Sequence, residues 1–139
     1  MLFRSSQPCR GLQLVHLALR KLRSIGGPVC VVSIFGRTRT GKSYILGKVF
    51  DQGEVFPVGH SFELETMGIL LWVVPEKYRD AQGREFTVVL LDSMGTDSIA
   101  DCDNDDAIIT LSVILSSVLI YNHPSFATEP DLFAFEYPF

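Results

Sequence analysis

The chain has 139 residues and a mass of 15.5 kDa, which suits one domain of ordinary size. Its 47% hydrophobic and 20% charged residues, with only 11 Gly and 7 Pro, exclude a disordered, collagenous or low-complexity chain. The net charge of -4 conceals an asymmetry that points to an anion site in the first part: nine of the twelve Lys and Arg lie within the first fifty residues, and all sixteen acids follow from Asp51 onward.

Residues 1–11 mix Ser, Gln, Pro and Gly without periodicity and read as a loose arm. From Leu12 the positions Leu14, Ala18, Leu22 and Ile25 fall at helical spacing, Arg20, Lys21 and Arg23 gather where the helix dipole favours cations, and Gly26-Gly27-Pro28 stops the helix. This Arg-rich, acid-free start also fits a mitochondrial transit peptide. It fits a nucleic-acid surface poorly, because no aromatics are interleaved with the basic residues. Pro28 to Phe35 is a β-branched run of the kind expected for a parallel strand buried on both faces, and Lys42 to Phe50 reads as a helix weakened at Gly47. Gly68–Val74 and Glu85–Leu91 read as two strands whose short polar connection, Pro75 to Arg84, allows only an antiparallel pair. Asp105 and Asp106 open a helix over Ala107–Ser116, and Val118–Tyr121 supplies a fourth strand. The segment from His123 to Phe139 holds five of the fifteen aromatics and three prolines, which suits a tail lying on a hydrophobic surface.

Several chemistries fall away on the residues themselves. The longest weakly polar run, Ala107 to Ile120, is too short for a membrane span, which takes roughly 20 apolar residues. Cys9, Cys30 and Cys102 are odd in number and lack metal or redox spacing, which suits a reducing, cytoplasmic compartment. His16, His60 and His123 are scattered and there is no G-x-S-x-G elbow, against zinc and serine-hydrolase chemistry. Asp101, Asp103 and Asp105 imitate a calcium loop, but Asp106 stands where glycine is needed and Ser112 where the bidentate Glu belongs.

The sharpest signal is Gly36-Arg37-Thr38-Arg39-Thr40-Gly41-Lys42-Ser43, a G-x-x-x-x-G-K-[ST] phosphate loop with a strand before it and a helix after it. Glycines let successive N–H groups point at phosphate oxygens, Lys42 reaches the β and γ phosphates, and the Ser43 hydroxyl ligates magnesium. Asp92, delivered by the strand ending Val88-Val89-Leu90-Leu91, stands where an acid holds the magnesium shell, and Gly95 three residues on can approach the γ-phosphate. Thr66, in the loop before Gly68, can offer its hydroxyl to the same ion. These residues point to an α/β P-loop NTPase fold.

Four blocks, P-V-C-V-V-S-I-F-G-R-T-R-T-G-K-S-Y-I-L-G-K-V-F, E-T-M-G-I-L-L-W-V-V-P, V-V-L-L-D-S-M-G and L-S-V-I-L-S-S-V-L-I-Y-N, resemble the large GTPases typified by guanylate-binding proteins and atlastins. The resemblance covers about residues 12–122 and ends at Asn122, so it implies a partial GTPase domain there, with a Ras-like mixed sheet and helices on both faces, cut after about four of six strands, with 1–11 as arm and 123–139 as tail. It implies GTP and magnesium as ligands and homodimers or heterodimers formed through GTPase heads. It places Arg39 where guanylate-binding proteins carry an internal arginine finger. Two positions depart from the family: Met94 stands for the usual Glu and Leu64 for a polar residue, and neither can orient an attacking water. Truncation leaves the fourth strand with an open edge, a liability for aggregation. Three functions stay open on the sequence: a guanylate-binding-type GTPase, a non-hydrolysing module that pairs with a full-length relative, and a P-loop ATPase or kinase.

Overall fold

The computed structural model describes residues 3–4, 13–37, 39–53, 56, 68–93, 95 and 105–123. Strands β1 (Phe3–Arg4), β2 (Gln13–Leu14), β3 (Val29–Gly36), β4 (Ile69–Arg79), β5 (Glu85–Ser93) and β6 (Val118–Asn122) and helices α1 (His16–Arg23), α2 (Lys42–Val49) and α3 (Asp105–Leu115) build an α/β layer structure. The six strands form one mixed sheet in the order β2-β1-β4-β5-β3-β6. β3 runs parallel to both β5 and β6, while β4 runs antiparallel to β5.

The period-2 alternation of β3 and β5 sorts their side chains into two cores. On one face Ala18 of α1 and Ile108 of α3 pack with Ile69, Val89 and Leu91. On the other, Leu46 of α2 packs with Val32, Ile34, Val74, Val88 and Leu90. Ile34, Leu46 and Leu90 are wholly buried, so the strand that feeds the phosphate loop and the helix that leaves it are anchored in one apolar cluster.

Two departures from the sequence reading have physical causes. The arm expected to be loose contains β1, which pairs through Phe3 with Ile69 and through both its residues with β2. These two-residue strands are too short to show any periodicity. β4 runs on to Arg79, through the polar stretch read as a connection, with a register shift between Val73 and Lys77. Pro75 lies inside this shift, where the ladder is interrupted and a missing N–H costs nothing. The chain then turns at Asp80, whose carboxylate accepts from the Gln82 and Arg84 backbone N–H groups, both at 2.9 Å.

Gly47, expected to weaken α2, instead has a packing role: a Cβ there would come within 2.5 Å of the Gly53 carbonyl oxygen. The end of α2 is also tied to β4, because Trp72 Nε1 donates to Gln52 Oε1 at 3.0 Å, and the Lys21 ammonium lies 5.0 Å from the centre of the same indole.

Two fully buried hydroxyls, Ser33 Oγ and Ser112 Oγ, find no hydrogen-bond partner among the described residues. An unsatisfied buried hydroxyl costs about 1–3 kcal/mol. Ser112→Ala removes that cost and improves helix propensity in α3, so it should stabilise the chain by about 1 kcal/mol. A denaturant midpoint that falls in the variant, at constant m, would contradict this.

Candidate functional site

The site lies at the carboxyl ends of the parallel strands, where open α/β sheets hold their ligands. Register brings its parts together: Ile34 pairs with Asp92, and Gly36 pairs with Asn122. The end of β3 is thereby flanked by the end of β5 on one side and of β6 on the other. Ser93 Oγ donates to the Ile34 carbonyl at 2.8 Å and braces the β5 terminus against β3.

Gly36 leaves the sheet with φ +144, and a Cβ there would meet the Asn122 carbonyl oxygen at 2.1 Å. Only glycine tolerates that approach. The loop then carries two left-handed residues, Arg39 at φ 63 and Gly41 at φ 79. For a non-glycine residue such a conformation costs of order 1–3 kcal/mol, and such residues cluster at functional sites. Gly41 caps α2 without a side-chain hydrogen bond, which leaves the first N–H groups of that helix available to an outside acceptor.

Lys42 is 6% exposed, and its Nζ donates to the Arg37 carbonyl at 2.8 Å, drawing the side chain across the loop. The same carbonyl accepts from Thr40 Oγ1 at 2.8 Å. Burial pushes the Lys42 ammonium below the ordinary lysine range, and the negative charge of Asp92 partly offsets this. A desolvated cation held in this way is a strong attractor for a polyanion. Next to it, Ser43 Oγ donates to Asp92 Oδ2 at 2.6 Å, and Asp92 is fully buried at the end of β5. One hydroxyl and one carboxylate at this separation are hard oxygen donors, and they suit magnesium, which takes one or two protein oxygens and completes its shell with water and phosphate.

Lys42, Ser43 and Asp92 are therefore brought together, with Gly36, Arg37, Arg39, Thr40 and Gly41 forming the loop around them. Gly95 is buried just beyond β5. Arg37 and Arg39 are exposed on the loop. Thr38 and Thr66, together with Leu64 and Met94, lie outside the described residues. Asn122, which in the sequence only closes a hydrophobic run, donates through Nδ2 to the Thr40 carbonyl at 2.7 Å. The signal that could have found it is the one that found Asp92: a polar residue closing a hydrophobic strand.

A buried parallel strand, a glycine-flanked loop ending in Lys42-Ser43, and an acid from the neighbouring parallel strand define a P-loop α/β protein. The family model described as guanylate-binding protein, N-terminal domain, matches residues 10–137, past the Asn122 at which the recognised blocks end. Guanylate-binding protein 3 of Homo sapiens is 42% identical over 107 residues, covering 76% of this chain and 17% of that protein. Guanylate-binding protein 2 of Rattus norvegicus is 41% identical over 107 residues, covering 76% of this chain and 18% of its own length. Guanylate-binding protein 7 of Mus musculus is 39% identical over 116 residues, covering 82% of this chain and 18% of its own. The chain belongs to the guanylate-binding protein family, and it spans under a fifth of the length of these relatives. Among the described residues no helix is long and apolar enough to cross a membrane.

Proposed function

We propose that the chain binds magnesium-GTP through Gly36–Ser43 and hydrolyses it as a guanylate-binding-type GTPase. The observation that carries this reading is the pairing of Ser43 with Asp92 at 2.6 Å beside the buried Lys42. Lys42 neutralises the β and γ phosphates, the loop N–H groups hold their oxygens, and Ser43, Asp92 and Thr66 hold the metal. Magnesium, when bound, draws charge from the β and γ oxygens. Arg39, a loop residue in left-handed backbone, neutralises charge that develops on the transferring phosphoryl group. Gly95 approaches the γ-phosphate with its N–H. Guanine as the base and pairing of GTPase heads rest on the family alone, and a cytoplasmic location rests on the cysteine pattern.

Phosphate release from GTP and from ATP, for wild type and Arg39→Ala, tests this reading. GTP turnover that falls ~10³-fold in the variant, with nucleotide affinity retained, is the expected result. A preference for ATP would point to a P-loop ATPase or kinase instead. Met94 and Leu64 favour a second reading, because neither side chain can orient a water: a non-hydrolysing module that binds nucleotide and pairs with a full-length relative. Tight binding of GTP with no phosphate release from the wild type would select it.

A further inference from the structure

Asn122 closes β6, pairs with Gly36 in the sheet and donates its carboxamide N–H to the Thr40 carbonyl, 82 residues away in the chain. Its own backbone lies so close to Gly36 that a single methyl group there would overlap the Asn122 carbonyl oxygen. The carboxamide is thus held against the phosphate loop from a rigid strand end. Thr40 itself sits between the left-handed residues Arg39 and Gly41.

A trans peptide carries its C=O and its N–H in opposite directions. A hydrogen bond that holds the Thr40 carbonyl toward β6 therefore turns the Gly41 N–H away from β6. Glycine at 41 also makes the alternative cheap, since a flip of this one peptide requires no side chain to move. The flipped form would set a carbonyl oxygen against phosphate, where like partial charges repel. We propose that Asn122 is a positioning residue that locks the Thr40–Gly41 peptide with its N–H facing the polyphosphate. This inference rests on the reading of Gly36–Ser43 as a phosphate site and adds a residue to it that acts through the loop rather than by touching the ligand.

The test uses magnesium with inorganic tripolyphosphate, a probe without a base, titrated into the full chain by calorimetry. Asn122→Leu keeps the branched side-chain skeleton and removes the donor, and it should weaken affinity about tenfold, with the carbonyl carbon resonance of Thr40 shifting in the ligand-free protein. Asn122→Gln retains a donor and should recover at least part of the loss. A purely structural role would lower the unfolding midpoint and leave the affinity of the folded protein unchanged. An Asn122→Leu affinity within threefold of wild type, or a Thr40 carbonyl resonance that does not move, overturns the inference alone. A wild-type chain that binds no tripolyphosphate overturns the phosphate-site reading and this inference with it. Where Asn122→Leu does not fold, Asn122→Ala, which also removes the donor, carries the same comparison under the same threshold.

Discussion

Replacing Lys42 by Met should lower affinity for magnesium-GTP by at least ~10²-fold, while the unfolding midpoint of the ligand-free chain is maintained. The binding loss follows from removing a charged hydrogen-bond donor, worth about 3 kcal/mol to a phosphate in a partly desolvated site. Stability is maintained because the ammonium is costly to bury: desolvation lowers its pKa even with Asp92 nearby. Met keeps the apolar stem and removes that cost, which offsets the lost bond to the Arg37 carbonyl. The same shift gives a pH dependence. With the folded pKa below the unfolded one, the unfolded chain holds the proton more tightly between the two values, so folding stability of the free chain rises with pH through that window. Affinity for a polyanion moves the other way and falls as Lys42 loses its proton, at lower pH than an ordinary lysine would. A fluorescent-nucleotide titration of wild type and Lys42→Met across alkaline pH reads the affinities, and denaturant unfolding of the free proteins over the same range reads the stabilities. Equal affinities for the two proteins would contradict the role of Lys42.

Gly36→Ala should destabilise the chain by about 3 kcal/mol or more, a large share of the margin of an ordinary domain. The new Cβ would lie 2.1 Å from the Asn122 oxygen, 3.0 Å from its carbon and 3.3 Å from its nitrogen. All three are backbone atoms, so no rotamer change relieves the clash, and φ +144 adds strain. β6 must withdraw from β3 at the point where Asn122 reaches the loop, so phosphate binding should fail together with stability. Denaturant unfolding and tripolyphosphate titration of the same preparation measure the two. An unchanged midpoint would show that β6 does not pack against Gly36 as described.

The part of the site that was legible in the sequence is the part carried by short, contiguous patterns. The β-branched run into Gly36, the Lys42-Ser43 pair that opens α2, and a hydrophobic strand ending in Asp92 each declare themselves within about ten residues. The antiparallel β4–β5 pair was legible for the same reason, since its connection is too short for a crossover. What escaped depends on distant or weak signals. The extension of β4 through Pro75 looks like a turn because its residues are polar, and it stays a strand because an interrupted ladder tolerates them. β1 and β2 owe their existence to partners rather than to any pattern of their own. The contact between Asn122 and Thr40 follows from the β3–β6 register, which no local motif encodes.

The tether between β6 and the loop bears on the order of events as the polypeptide emerges during synthesis. β3, the loop and α2 are made early, but the strand end that restrains the Thr40 peptide arrives 82 residues later. Closing a span of that length is entropically slow compared with winding α2 or zipping the β4–β5 hairpin. A nascent chain stalled short of Asn122 would carry every residue of the Gly36–Ser43 motif without its final restraint. On the proposed reading, competence to capture phosphate would therefore be acquired only once β6 docks beside β3.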